Sequence, residues 1–432
     1  MAFAPNVIAA RPRWLVWLAL VACRGSSHGG LVSGTPVDAA PSLAVGPDAS
    51  PEASAPSTTC VSPGCLRTAK KIGDYTKAQL VPTLDRRVSI DNGYSVWSIE
   101  YTTADRTSFA TVAMPFGVDA PVRGWAIVAN NHGTTGVDDA CALTGTVFGD
   151  GLAGLFAARG MIGVATDYPG LGTPGVHPYL VSEVEGRASL DALRAARALA
   201  RWQSVRTSDR YAVVGLSQGG HATLAAAALH KKYAPELDVR AFAATAPASV
   251  FEEQWRVLLT ADGAHVPRLA MMIYAWMEHY GYKGPPVWAP GVEPALRVAM
   301  STRCAYAMNG KGALADALGT ERAKIFAPAF VTAYSSGTWG PYASFSQWFS
   351  ANRVAPYPQT APLKIYQGDA DDVVPEAGTR ALVGALRAGG VVVDYEVVPG
   401  GAHGDVAHGF VAAFERRTAD SIAWIRGRVA SE

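Results

Sequence analysis

The sequence of 432 residues predicts an α/β protein with a mostly parallel central sheet and helices on both faces. Nearly half of the residues are apolar, which is ample for a large buried core. Apolar, β-branched runs alternate with helical patterns, and this alternation favours a parallel sheet with right-handed crossovers. The predicted strands are residues 125–130, 161–168, 211–217, 363–369 and 391–400. The first four are apolar throughout, as strands covered on both faces are.

Two further segments upstream are predicted to pair with each other. Residues 94–103 and 107–117 resemble the strands of an antiparallel pair joined by a short turn. The clearest helix is predicted over 182–202, where apolar residues recur on one face. Ser182 and Glu185 stand at its start with the spacing of a capping box, in which each side chain bonds the other residue's backbone N–H.

The alternation of strands and helices is interrupted once. Helices are predicted directly after Ser217 and over 377–390, and a strand over 240–246. The stretch 247–360, in contrast, is rich in Trp, Tyr, Met and Pro and has helix-like apolar spacing without a convincing strand. We interpret it as a largely helical cap inserted into a core formed by residues 60–246 and 361–432, although most of its aromatic residues suit ordinary packing of a small subdomain.

The N-terminal segment is predicted to be a targeting signal. Arg11 and Arg13 precede an apolar run ending at Cys23, which is too short to span a membrane and is typical of a secretory signal peptide over residues 1–22. The run ends in "LVAC", which resembles a bacterial lipobox, so Cys23 is the candidate lipidation site. An ordinary signal peptide with an incidental cysteine is the alternative. Residues 23–59 contain no Phe, Trp or Tyr and predict a flexible linker.

These features predict a bacterial protein that is exported, either anchored in the cell envelope as a lipoprotein or secreted. The remaining cysteines are even in number, which suits an oxidising compartment. They are Cys60, Cys65, Cys141 and Cys304, and they allow three pairings. A Cys60–Cys65 bond would close a small loop and leave Cys141 with Cys304 as a long-range link. Formal net charge +1 without a Lys/Arg cluster gives no sign of a nucleic-acid partner, and no His/Cys cluster suggests a metal.

The chemistry is expected at Gly215-Leu216-Ser217-Gln218-Gly219, between a strand and a helix of small residues. A serine hydroxyl must be exposed and activated to act as a nucleophile. A sharp strand-to-helix turn projects it outward and leaves no room for a Cβ at Gly215 and Gly219. This pattern is the G-x-S-x-G nucleophile elbow of α/β-hydrolases. The backbone N–H of Gln218, at the helix N-terminus, is then one oxyanion donor.

The mechanism requires an acid and a histidine further along the chain, in the order Ser, Asp, His. The segment "YQGDADDVVP" places the acid at Asp371, with Asp369 and Asp372 as neighbours of which one caps the next helix or holds the loop. The segment "VPGGAHGDVAHG" places the base at His403, and His408 is interpreted as an exposed or packing residue.

A second oxyanion donor is expected after the 125–130 strand, in "ANNHGTTGVDDAC". His132 and Gly133 allow the backbone to approach closely, and Thr134 or Thr135 is the predicted donor. His132 is interpreted as a support of this loop, since it has no partners for a metal site.

Three segments together resemble the secretory lipases of the fungal lipase-A type and their bacterial relatives. They are "NHGTTG", "DYPGLGTPGVHPYLVSEVEGRASLDALRAAR" and "GLSQGG", and the resemblance extends from about residue 60 to the C-terminus. It implies an α/β-hydrolase core with a helical cap over an acyl-binding site. It also implies hydrolysis of carboxylic esters, including acylglycerols. Two departures are that asparagines precede "HGTTG", where the family often has aromatic or small residues, and that the lipobox adds a tether.

The resemblance also assigns roles to particular residues. The family's nucleophile, acid and base fall on Ser217, Asp371 and His403. Asp167 and Tyr168 would line or brace the site without acting as the acid. A disulfide would join the oxyanion loop to the cap, which here means Cys141 with Cys304.

The predicted function is therefore a serine ester hydrolase, a lipase or carboxylesterase that needs no cofactor. Its expected partners are an acyl ester substrate and, through the anchor, a membrane, and nothing implies a protein partner. A serine peptidase of the prolyl-oligopeptidase type is one alternative, because "QGDADDVVP" and "GGAHG" also occur in such domains. A non-catalytic, surface-tethered binding protein on a hydrolase scaffold is the other.

Overall fold

The structure, a computed structural model, describes residues 55–84, 90–104, 106–403 and 417–429. A nine-stranded sheet in the order β1-β2-β3-β5-β4-β6-β7-β8-β9 forms its centre. The strands are β1 (Leu66–Tyr75), β2 (Gly93–Thr103), β3 (Arg106–Phe116), β4 (Trp125–Asn131), β5 (Ile162–Thr166), β6 (Thr207–Leu216), β7 (Asp238–Thr245), β8 (Leu363–Gly368) and β9 (Val393–Val398).

The sheet is mostly parallel, as predicted. Strands β4 to β9 pair in parallel, whereas β1, β2 and β3 are antiparallel and β3 joins the parallel part by pairing antiparallel with β5. Every strand expected from the sequence is present, including the β2–β3 pair, whose register runs to Thr103 opposite Arg106. Strand β1 was not predicted, because it has no apolar run: only Leu66 is buried, and the other positions, four of them charged, are half-buried or exposed.

Thirteen α-helices lie within the described residues. They are α1 (Lys77–Leu84), α2 (Val147–Ala157), α3 (Ser182–Trp202), α4 (Gln218–Tyr233), α5 (Glu252–Arg256), α6 (His265–Tyr280), α7 (Glu293–Thr302), α8 (Leu314–Leu318), α9 (Arg322–Ile325), α10 (Pro328–Ser336), α11 (Ala343–Asn352), α12 (Glu376–Ala388) and α13 (Arg417–Val429). The helices predicted over 182–202, after Ser217 and over 377–390 correspond to α3, α4 and α12. Helices α1 and α2 were not expected from the sequence.

The predicted capping box of α3 is wrong. The residue at the N-cap position is Val181, and no side chain makes the cap hydrogen bond. Ser182 is already the first helical residue. Glu185 turns inward and accepts a hydrogen bond from the backbone N–H of Leu180 at 2.9 Å. The S-x-x-E pattern therefore marks the helix start correctly, but its two polar side chains serve contacts inside the protein.

Residues 247–360 contain helices α5 to α11 and, within this described stretch, only isolated β-bridges. Its aromatic side chains pack on one another, with ring centroids 5.1 Å apart for both Trp276–Phe349 and Phe330–Phe345. The same apolar cluster includes Tyr179, from the loop before α3. The indole N–H of Trp276 donates to the carbonyl oxygen of Tyr179 at 3.0 Å. The helical stretch is thus attached to a loop of the core.

Two disulfides, Cys60–Cys65 and Cys141–Cys304, are present. In the part of the chain that the structure describes, no helix is long and apolar enough to cross a membrane. The predicted signal peptide, the lipidation site Cys23 and His408 lie outside the described residues.

Candidate active site

The chain makes a strained turn at the predicted nucleophile. Strand β6 ends at Leu216, α4 begins at Gln218, and Ser217 between them has φ 56° and ψ −114°. A positive φ is uncommon for a residue with a side chain, and such strain persists only where the surrounding structure enforces it. The Ser217 N–H donates to Thr245 at 2.9 Å, and its carbonyl accepts from the N–H of Ala248 at 3.0 Å. The β6 and β7 ends therefore hold the serine in this conformation.

Steric constraints explain why both flanking positions of the motif are glycine. A Cβ at position 215 would overlap the carbonyl oxygen of Gly219, and a Cβ at 219 would overlap the carbonyl oxygen of Asn131 at the end of β4. Neither contact can be relieved by moving a side chain, because both oxygens belong to the backbone. The motif thus lets α4 start directly against the end of β4.

The predicted acid and base form a hydrogen-bonded pair. Nδ1 of His403 lies 2.8 Å from Oδ2 of Asp371, and both residues are buried. Oδ1 of Asp371 accepts the backbone N–H groups of Val373 and Val374 at 2.9 and 2.8 Å. Oδ2 also accepts Nε2 of Gln367 at 3.0 Å. Four donors therefore surround this carboxylate, which suits its ionised form.

The neighbouring Asp369 has a different task. Its Oδ1 accepts the backbone N–H of Gly400 at 2.6 Å, and the N–H of Ala370 donates to Gly401 at 3.1 Å. These bonds join the loop after β8 to the loop that carries His403. Asp369 thus holds the histidine loop and makes no contact of the kind expected for the acid. Gln367, which contacts the acid, was not identified from the sequence.

The elbow and the pair lie at the same edge of the sheet, since β7 alone separates β6 from β8. In α/β folds the carboxyl ends of parallel strands form the usual site. Ser217, Asp371 and His403 are each less than 10% exposed. Within the described residues, no hydrogen bond joins Oγ of Ser217 to His403. The structure thus forms the Asp371–His403 pair and places the serine at the same edge.

The predicted oxyanion loop passes beside the elbow. A Cβ built on Gly133 would lie 3.7 Å from Cβ of Ser217. Oγ1 of Thr134 lies 2.8 Å from the hydroxyl of Tyr179, and the carbonyl of Thr135 accepts the N–H of Ala305 at 2.8 Å. The loop is therefore held from two sides, by the loop before α3 and by a residue of the 247–360 stretch next to the Cys141–Cys304 disulfide.

Further support comes from His132, Asp167 and Tyr168. Burial lowers the pKa of His132, whose Nδ1 lies 2.7 Å from the carbonyl oxygen of Gly133. The hydroxyl of Tyr168 donates to the carbonyl of His132 at 3.2 Å. Asp167 accepts the backbone N–H groups of residues 143 and 144, and burial raises its pKa to about 6. These contacts brace the segment after β4 rather than supply an acid to His403.

Sequence reasoning missed a buried polar network behind the elbow. It joins His177, Glu185, Gln218 and His221, all of which are at most 1% exposed. A Cβ on Gly186 would lie 2.9 Å from the carbonyl carbon of Ala225, so α3 and α4 approach closely and Glu185 can reach α4. A glycine inside a strongly helical pattern is a signal of such close packing.

One part of this network has the connectivity of a catalytic triad. Oγ of Ser182 lies 3.0 Å from Nε2 of His221, and Nδ1 of His221 lies 2.8 Å from Oε2 of Glu185. The Ser182 hydroxyl, however, donates its proton to the carbonyl oxygen of Asn352 at 2.5 Å. It is not directed at the histidine, so this array is unsuited to activating the serine.

The mostly parallel sheet with helices on both faces is the α/β-hydrolase fold. Residues 152–259 match the model of the Secretory lipase family. Lipase A of Moesziomyces aphidis is 26% identical over 192 residues, which is 40% of this chain and 40% of that protein. The resemblance to the secretory lipases is thereby confirmed, although the alignment spans less than half of that relative.

Solved structures show the same fold. The rice cell wall degrading esterase LipA from Xanthomonas oryzae superimposes with a TM-score of 0.72 at 20% identity, covering 85% of this chain and 98% of that one. Candida antarctica lipase A superimposes with a TM-score of 0.55 at 16% identity, covering 79% and 78%.

Proposed function

We propose that the protein is a serine ester hydrolase, a lipase or carboxylesterase acting on acylglycerols or similar acyl esters. One observation carries the proposal. A serine with φ 56° stands between a buried strand and a helix N-terminus, at the same sheet edge as a hydrogen-bonded His403–Asp371 pair. Strain of this kind is tolerated where a side chain must be presented for chemistry.

The reaction follows from the hydrogen bonds of His403. Its Nδ1–H donates to Asp371, so Nε2 carries the lone pair that accepts a proton. Oγ of Ser217 attacks the acyl carbonyl carbon while its proton passes to Nε2. Collapse of the tetrahedral intermediate expels the alcohol, which takes that proton, and leaves an acyl-enzyme. Water then gives a proton to Nε2 and attacks the acyl carbon. When the bond from that carbon to Oγ breaks, the acid is released and the proton on Nε2 returns to Oγ, which restores the serine and the neutral histidine.

The developing oxyanion requires preorganised donors. The backbone N–H of Gln218 lies in the first turn of α4, where N–H groups have no partner within the helix and the helix dipole favours negative charge. The loop beside Ser217 supplies the second donor, Thr134 or Thr135. Removal of one such donor typically slows an enzyme by about 100- to 1,000-fold.

We assign the 247–360 stretch as a cap over the acyl-binding site. Its support is the low exposure of all three reacting residues and the attachment of this stretch to the oxyanion loop through Ala305 and the Cys141–Cys304 disulfide. The peptidase alternative is not favoured, because the family model and the relatives are lipases and esterases. A binding protein would have no need of the strained serine.

The proposal is tested with p-nitrophenyl esters of increasing acyl length and a peptide anilide. Ester turnover and fluorophosphonate labelling should both be lost in Ser217→Ala and kept in Ser301→Ala, an exposed serine on α7. Peptide mapping should find the label on Ser217 and not on Ser182. Peptide cleavage without ester turnover would support the serine peptidase instead. No turnover of either substrate and no fluorophosphonate labelling would support the non-catalytic binding protein.

Export and anchoring form a separate part of the proposal. The two disulfides and the secretory lipase resemblance support an exported protein. Lipidation of Cys23 would then attach it to a membrane. Metabolic labelling with a fatty-acid probe should mark the full-length protein and not Cys23→Ser, and equal labelling of both would refute the anchor.

A further inference from the structure

The nucleophile occupies the N-cap position of α4. An N-cap serine ordinarily stabilises its helix by accepting an N–H bond with its side-chain oxygen. Here Ser217 makes no such side-chain bond. A hydroxyl that must attack a carbonyl cannot also be committed to capping. The first turn of α4, which includes the N–H of Gln218, therefore needs another means of fixation.

The side chain of Gln218 provides a point of attachment. It is fully buried, and Nε2 lies 2.8 Å from Nε2 of His177 and 2.9 Å from Oε1 of Glu185. Nδ1 of His177 faces the carbonyl oxygen of Pro169 at 3.0 Å, so its proton lies there and Nε2 accepts. Burial lowers the pKa of His177 to about 3, which keeps this ring neutral. Both amide hydrogens of Gln218 are thus engaged.

Glu185 is the centre of this attachment. Its carboxylate accepts the amide of Gln218, the N–H of Leu180 at 2.9 Å and Nδ1–H of His221 at 2.8 Å. Nε2 of His221 faces the carbonyl oxygen of Asn352 at 3.1 Å and Oγ of Ser182 at 3.0 Å.

His221 links this attachment to the helix itself. It lies one helical turn from the nucleophile, and its backbone N–H donates to the carbonyl oxygen of Ser217 at 3.0 Å. Glu185 and His221 thus form a buried, directly hydrogen-bonded pair behind the elbow.

Burying polar side chains costs free energy unless their hydrogen bonds are satisfied, so apolar residues would serve better for packing alone. A carboxylate near a helix N-terminus is, in contrast, favourable to the helix dipole. We propose that Glu185 is a positioning residue of the oxyanion hole. It replaces the missing cap of α4 by holding Gln218, whose N–H faces the oxyanion. The inference rests on the proposed ester hydrolysis and goes beyond it.

The test compares Glu185→Gln, Gln218→Ala and the double variant with the wild type. The control is His230→Gln, which removes a buried histidine of the same helix that bonds Thr360 and Leu237 far from the elbow. For a p-nitrophenyl ester, kcat should fall about 10- to 100-fold in each single variant while KM changes less than about twofold.

Two readouts distinguish positioning from a general loss of structure. The affinity of a trifluoromethyl ketone, whose adduct carries an oxyanion, should fall by the same factor as kcat/KM, because both report transition-state binding. The kcat of the double variant should be no lower than that of the less active single variant, since both changes remove the same attachment of Gln218 to Glu185. His230→Gln should lower Tm comparably and leave kcat unchanged.

A wild-type kcat in Glu185→Gln, additive losses in the double variant, or a loss confined to KM would overturn the inference. Should Glu185→Gln fail to fold, Gln218→Ala alone decides, because it keeps the Glu185–His221 pair and removes only the attachment. A wild type without ester turnover or Ser217-dependent labelling would instead refute the proposed function, so the two failures are distinguishable.

Discussion

Replacement of Asp371 by asparagine examines the hydrogen bonds of the proposed acid most directly. Four donors surround the carboxylate: His403 and Gln367 at Oδ2, and two backbone N–H groups at Oδ1. An amide has only one acceptor atom. Since the backbone donors cannot move, the asparagine oxygen should face them and its NH₂ group should face His403. Nδ1 of His403 must then accept, which moves the ring proton to Nε2 and removes the base.

The expected loss follows from that change of tautomer. The equivalent substitution in a serine protease triad lowers kcat by about 10,000-fold, which corresponds to about 5 kcal/mol of transition-state stabilisation. Asp369→Asn is the matched control. Its oxygen can still accept the N–H of Gly400, so we expect a loss below about tenfold.

The assay is kcat/KM for a p-nitrophenyl ester, with circular dichroism and Tm measured for both variants. An Asp371→Asn enzyme within tenfold of the wild type would show that the tautomer argument is wrong. Equal losses in the two variants would show that the roles of the two aspartates were not correctly assigned.

Three other predictions concern stability. Gly219→Ala should unfold the elbow or abolish activity, because the added Cβ meets the backbone of Asn131. Gly384→Ala on α12 has open space around it and should stabilise the protein by about 0.5–1 kcal/mol, so equal Tm values for the two variants would contradict this prediction. Replacing both cysteines of Cys141–Cys304, whose loop spans 163 residues, should lower the free energy of unfolding by about 3–5 kcal/mol. Replacing those of Cys60–Cys65, whose loop spans five residues, should lower it by about 2 kcal/mol, and the reverse order in denaturant unfolding would contradict the chain-entropy argument. Burial raises the pKa of Asp167 to about 6, so the folded protein binds the carboxyl proton more tightly than the unfolded chain does. The stability that this group contributes is therefore present at low pH and is lost as the pH rises from about 4 to 6. The difference in unfolding free energy between wild type and Asp167→Asn should therefore fall by about 3 kcal/mol over that window, and a flat difference would be inconsistent with the raised pKa.

Local patterns carried the prediction of the fold. Continuous apolar runs and the helical spacing of apolar residues depend only on residues close together in the sequence. The parallel strands and helices α3, α4 and α12 were therefore all expected. Strand β1 has one buried residue and several exposed charged ones, and α1 and α2 lack a strong apolar periodicity. The local signal was weak at these elements, and only pairing with β2 and packing on the sheet define them.

The elbow is a case in which a short segment predicts the local structure around a candidate nucleophile. The positions of Gly215 and Gly219 follow from the absence of space beside a sharp turn, and the structure supplies the overlapping atoms. The choice among the aspartates of "GDADD" also has a structural counterpart: Asp371 bonds His403, and Asp369 bonds the loop that carries it.

The S-x-x-E start of α3 illustrates the opposite case. Its spacing is compatible both with a capping box and with two side chains that turn inward, and nothing within the helix distinguishes them. Close approach of α3 to α4 at Gly186 makes the second arrangement available.

By itself, the sequence determined the α/β class, the order of the parallel strands along the chain, and the residue types and spacing of the proposed serine hydrolase site, because each depends on neighbours within a few residues. Only the tertiary structure decided that Gln367 bonds Asp371, and that His177, Glu185, Gln218 and His221 meet behind the elbow. The contacts within that network join residues up to 41 positions apart, from 177 to 218, and their energies depend on burial and on which oxygens accept. No spacing rule within one segment contains that information.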